Sequence, residues 1–117
     1  MTIEEILEYC RQIPGQTWPV ELMWLYNNLK DSKSHVEIGT YCGRSLLASA
    51  YGMTSGYVLA VDSRNDDPMT NIPEEWVESV YEATVRLMPA TITLETMKLS
   101  SVRASIEARK RNLKFDS

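Results

Sequence analysis

The stretch HVEIGTYCGRSLLASAYG, residues 35–52, runs almost directly into GYVLAVDS, residues 56–63. The first piece is an apolar run holding one acid, Glu37, and it breaks at Gly39 and Gly43. GRSLLASAYG then reads as a helix, stopped by Gly52, and YVLAVD is apolar throughout until it ends on Asp62. A strand with no polar alternation is covered on both faces, as parallel strands are. Strand, glycine turn, helix and strand make one βαβ unit with a right-handed crossover. In such sheets ligands bind beyond the carboxyl ends of the strands. Gly39 and Asp62 both fall there.

Working outward, Ile3, Ile6, Leu7, Cys10 and Ile13 recur at helical spacing, and Thr2 with Glu5 forms a capping box. Pro14-Gly15 ends that helix. WPVELMWLYNNL, residues 18–29, is a second helix, apolar around most of its circumference and therefore expected to be well buried. Trp18, Trp24 and Trp76 are expected in core or lid packing. After the second strand, SRNDDPMTNIP (63–73) is a polar loop. A helix follows with Trp76, Val77, Val80, Tyr81, Leu87 and Met88 on one face, closed by Pro89. TITLET (91–96) is a third strand, and SSVRASIEARKRN (100–112) a helix with a serine cap. LKFDS (113–117) looks like the start of one more strand. The class is α/β: a Rossmann-like parallel sheet of βαβαβ order, in three αβα layers, behind N-terminal helices. We read residues 1–117 as a single domain, with helices over 1–34 and a ligand-binding half over 35–117.

Composition narrows the function. Hydrophobic residues are 44% and charged residues 24%, which suits an ordinary globular chain. The net charge of −4 argues against a nucleic-acid surface built on bulk charge. The basic run RASIEARKRN (103–112) reads as a solvated helix face. No run of ~18 apolar residues exists to span a membrane, and the acidic, amphipathic N-terminus is unlike a secretion signal. A cytoplasmic location is expected. Cys10 and Cys42 lack metal or redox spacing and read as free, buried thiols. His35, the single histidine, reads as structural. Asp66 and Asp67 read as turn formers, and no metal is expected.

The glycine loop is Glu37-x-Gly39-x-x-x-Gly43. A phosphate loop needs a following Lys-Ser/Thr, and a dinucleotide fingerprint needs the tighter G-x-G-x-x-G. Neither is present. An acid inside a strand is costly to bury without a partner, and a cationic ligand group would supply one. Asp62 stands 25 residues after Glu37, near the spacing at which an acid meets a ribose diol. Cation plus ribose suggests S-adenosylmethionine.

VEIGTYCGRS followed by VLAVD resembles the first two motifs of class I S-adenosylmethionine-dependent methyltransferases, closest to the small-molecule O-methyltransferase branch that includes catechol O-methyltransferase-like enzymes. The resemblance implies that Glu37 supports the methionine ammonium and that Gly39 and Thr40 bring backbone close to it. It implies that Tyr41 and Ser45, with Gly43, face the methionine carboxylate at a helix N-terminus. Asp62, with Ser63 after it, would hold the ribose. Ser100 and Ser101 would meet the adenine, although the family's usual glycine is not evident there. Tyr41 reads equally as packing. Arg44 reads as a solvated helix residue, or one reaching an acidic substrate.

In the resembled family the acceptor-side groups come from the fourth strand onward, and the first strand lies beside the fourth. The expectation is a chain cut short near Ser117, holding the cofactor half, with the catalytic residues beyond it. The expected reaction is methyl transfer to a small molecule or sugar hydroxyl. The partners expected are that small-molecule acceptor and either a homo-oligomer or a missing C-terminal half. The other readings are a non-catalytic S-adenosylmethionine-binding module and a nucleotide- or NAD-binding domain, the latter disfavoured by the loop spacing.

Overall fold

The structure is a computed structural model and describes residues 1–63 and 72–117. Three strands form one parallel sheet in the order β1-β2-β3: β1 (Ser34–Ile38), β2 (Gly56–Val61) and β3 (Ile92–Met97). The register pairs Glu37 with Ala60 and Ile38 with Val61, and it carries Val61 on to Met97. Five helices accompany them: α1 (Ile3–Gln12), α2 (Pro19–Asn28), α3 (Arg44–Met53), α4 (Glu74–Val85) and α5 (Ser101–Lys110). The αβα class read from the sequence is the class observed. Asp66 and Asp67, with most of the 63–73 loop, lie outside the described residues.

Strand alternation sorts the two faces. Val58 and Ala60 pack with Leu46, Met53 and Tyr81 under α3 and α4. Leu59, Val61 and Met97 pack with Ala104 under α5. A third cluster, Ile6, Cys10, Ile13, Leu22, Cys42, Leu47, Ala48 and Val77, ties α1 and α2 to α3 and α4. Leu46, Leu47, Val58 and Leu59 are essentially solvent-free, and burying each such side chain stabilises the fold by about 1.5–3 kcal/mol.

The caps follow their residues. Thr2 Oγ1 accepts from the Glu5 N–H at 3.2 Å and also donates to the Glu5 carboxylate. The Glu21 carboxylate accepts from the Trp18 N–H at 2.9 Å, while the indole offers no acceptor, so the second half of that cap is missing. Ser100 caps α5 by accepting from Arg103 N–H at 3.3 Å.

The expected burial of α2 is overturned: only Leu22 is buried, and Val20, Met23 and Trp24 are exposed. Trp18, Trp24 and Trp76 are 71%, 60% and 53% exposed, so none is a core residue. An all-round apolar helix gives burial no single face to select, and here one side meets α1 and α3 while the other has no neighbour among the described residues. Gly52 does not stop α3, which runs to Met53. A Cβ at Gly52 would stand 2.7 Å from the Tyr26 carbonyl oxygen, so this glycine is where α2 and α3 cross closely.

The last residues lie along the outer side of β1. Val36 N–H donates to Ser117 O at 3.0 Å, and Ser117 N–H donates to Ser34 O at 3.2 Å. These bonds are a single step of parallel pairing; LKFDS, expected to begin one more strand, forms no strand, and the sheet keeps three. His35 is buried with Nδ1 3.0 Å from Ser117 Oγ, and burial lowers its pKa. It is structural. Cys10 and Cys42 are buried and form no disulfide, and burial pushes the Cys10 thiol up to about 11 against the pull of Arg44. Among the described residues, no helix is long and apolar enough to cross a membrane.

Candidate functional site

The β1–α3 loop turns on three left-handed residues, Gly39 (φ +78°), Tyr41 (φ 51°) and Gly43 (φ +93°). Glycine takes this region freely, whereas a tyrosine there is strained and must be held. It is held by Asp62, whose Oδ2 accepts from the Tyr41 N–H at 2.7 Å. Gly39 N–H donates to Val61 O at 2.7 Å, and Gly43 N–H donates to Thr40 O at 2.8 Å. The two strand ends and the loop are thus one hydrogen-bonded unit.

The two glycines serve different ends. A Cβ at Gly39 would meet nothing within 4 Å among the described residues, so on that side the position is open. A Cβ at Gly43 would sit 2.9 Å from Thr84 Cγ2, so that position packs against α4. A cleft of about 450 Å³ adjoins the open side, lined by Gly39, Thr40, Tyr41 and Ser45 together with Glu21, Arg44 and Ile72 and the α1–α2 linker, residues 14–17.

Glu37 points toward α3, on the same side of the sheet as Ala60. Ser45 Oγ donates to Glu37 Oε1. The residue as a whole keeps some surface, yet Oε2 is buried and among the described residues has no hydrogen-bond partner. Burial pushes the carboxyl up to about 7, with the Ser45 hydrogen bond opposing. A carboxyl in this state is short of one donor or one positive charge.

Four of the ten expected site residues, Gly39, Thr40, Tyr41 and Ser45, line the cleft together. Asp62 is joined to them through Tyr41. Glu37 is joined through Ser45, whose hydroxyl is thereby committed to the carboxylate. Thr40 is buried and works in the turn. Ser63 is exposed directly after Asp62. Ser100 and Ser101 do not line this cleft: Ser100 caps α5, and Ser101 borders a separate groove beside Val36 and Ile38.

Arg44 departs from the solvated reading. Its Nε donates to Cys10 O at 2.8 Å, and its Nη1 donates to Gly15 O at 3.0 Å and Thr17 O at 2.9 Å. The linker wall itself, Pro14 to Thr17, carried only a helix-stop signal in the sequence.

No protein-family model matches the chain, and no curated relative does. Solved structures do. The O-methyltransferase from Bacillus cereus, solved in complex with SAH, matches with a TM-score of 0.57 at 18% identity, over 96% of this chain and 48% of that one. A Klebsiella pneumoniae protein assigned to the O-methyltransferases matches with a TM-score of 0.56 at 19% identity, over 91% of this chain and 46% of that one. The chain therefore shares the fold of these solved O-methyltransferase structures, and it spans about half their length.

Proposed function

We propose that the cleft beside Gly39 binds S-adenosylmethionine, and that the chain is the cofactor-binding portion of a methyltransferase acting on a hydroxyl of a small molecule. The observation that carries this reading is Glu37 Oε2, a buried oxygen at the carboxyl end of β1 without a partner among the described residues. An ammonium is the group that answers it. Gly39 leaves room for a ligand against the backbone. The SAH in the Bacillus cereus structure, the demethylated form of that cofactor, supports the same reading.

The residues divide the work. Glu37, steadied by Ser45, takes the cationic end of the ligand. The first-turn N–H groups of α3 suit its carboxylate. Asp62, the carboxylate that also holds the Tyr41 N–H, serves the ribose. When bound, the cofactor supplies a methyl group on a sulfonium. The acceptor, and the group that takes its proton, are sought among residues that accompany this half of the fold in a full-length enzyme.

The test is competition of SAH against NAD for quenching of tryptophan fluorescence, with three tryptophans as reporters. SAH is expected to bind and NAD to fail to displace it; the reverse would make this a dinucleotide site. Asp62→Asn is the informative variant. Its amide oxygen still accepts from Tyr41 N–H, but its NH₂ cannot accept from a diol. Affinity should fall by about 1–3 kcal/mol, the cost of an unsatisfied partner, and unchanged affinity would move Asp62 off the ribose.

A further inference from the structure

The α1–α2 linker carries no apolar anchor between Pro14 and Trp18, yet it forms one side of the cleft. Among the described residues, one side chain holds its backbone. The Arg44 guanidinium bonds three linker-side carbonyls, those of Cys10, Gly15 and Thr17. Cys10 Sγ returns a bond to Arg44 O at 3.3 Å. Among the described residues no carboxylate pairs with this cation. A Cβ at Gly15 would lie 3.1 Å from Arg44 Cδ, so glycine is what lets the side chain lie flat against the linker. The planar fork of arginine reaches several carbonyls at once, which a lysine ammonium does not do in the same geometry.

We propose that Arg44 is a positioning residue, strapping the α1–α2 linker into place as the outer wall of the cofactor cleft. The inference rests on the reading of that cleft as an S-adenosylmethionine site. It makes the N-terminal helices part of the binding machinery rather than a separate cover. Arg44 sits on the helix that also presents Ser45, so the loop that meets the ligand and the wall that encloses it are held by neighbouring residues.

The test uses the full chain, with SAH as the probe. Wild type, Arg44→Met, Arg44→Lys and Gly15→Ala are compared by calorimetric titration, thermal unfolding and deuterium uptake across residues 12–18. SAH should slow uptake over 12–18 in the wild type. Arg44→Met should raise uptake there without ligand, leave residues 57–61 protected, and weaken SAH by about tenfold, the equivalent of one lost charge-assisted hydrogen bond. Arg44→Lys should recover part of that loss. Gly15→Ala, which spares the core, should shift affinity in the same direction by less, and it decides the matter if Arg44→Met does not fold. The inference is overturned if SAH binds without altering uptake over 12–18. It is equally overturned if the variants lose thermal stability but bind SAH as the wild type does. Failure of the wild type to bind SAH at all is the distinct result that removes the cofactor reading, and the inference with it.

Discussion

At the scale of single residues, Glu37 sets a pH dependence whose direction can be worked out. Its folded pKa is raised from an ordinary 4.5 to about 7. The folded state therefore holds the proton more tightly than the unfolded chain. The resulting stability is fully present below pH 4.5 and is lost as pH rises through 7. A rise of this size corresponds to something on the order of 3 kcal/mol. Glu37→Gln keeps an oxygen for the Ser45 hydroxyl and has no charge to desolvate. Urea midpoints from pH 5 to 8.5 should fall in the wild type and flatten in the variant, with His35 titrating identically in both. Parallel curves would place the titration elsewhere. A cationic ligand reverses the preference, so SAH binding should release a proton and weaken as pH drops below 7. Glu37 and Gly39 were legible in the sequence because an acid in a strand and a glycine at its end each imply local physics. Arg44 was not, because its carbonyl partners lie 27 to 34 positions away and nothing in a helix-forming arginine encodes them.

At the scale of elements, periodicity and punctuation located every helix and strand, and they failed on which faces meet. The sequence treats Gly52 as a stop, yet its role lies in the α2–α3 crossing, where Tyr26 Cα and O would stand 2.8 and 2.7 Å from an added Cβ. Backbone cannot retreat as a flexible side chain can, so the helices would have to separate. Gly52→Ala should cost about 1–3 kcal/mol by overpacking, even though alanine is the better helix former. Chemical denaturation measures it, and a stabilised variant would show that the two helices slide freely. The exposure of α2 has the same origin. Proline at its start and apolar residues on all sides specify a helix, while the burial of Leu22 alone reflects which neighbours the tertiary fold provides. Ser100 shows the limit from the other side: its capping role was legible from position, whereas its distance from the cleft follows from where α5 packs.

At the scale of the molecule, β1 is the edge of the three-stranded sheet, and its outer side is paired only in its first half. β2 flanks one side, and residues 116–117 flank the other. The joint depends on side chains as well as backbone. Asp116 Oδ2 accepts from Lys33 N–H at 2.7 Å and from Ser34 N–H at 3.3 Å. Phe115 stacks on Tyr57, with ring centroids 6.2 Å apart. Tyr57 in turn donates to Glu95, which Arg111 also grips, and that pair of donors, Arg111 first, holds the Glu95 carboxyl down to about 2. The five C-terminal residues thus connect the outer edge of β1 to the α5 layer. Helix α5 covers β2 and β3, while Ile38 on the same face of β1 stays 62% exposed. Two variants separate edge pairing from face packing. Asp116→Ala removes the acceptor for two exposed N–H groups and should cost about 1 kcal/mol. Phe115→Ala strips one wall of the groove beside Ile38 and should cost about 2 kcal/mol, below the range for a fully enclosed phenylalanine. Thermal unfolding reads both. Because the residues are adjacent and act on one joint, the double variant should cost less than the two together. Strict additivity would mean that edge and face are held independently, and that the β1 pairing survives without the stack.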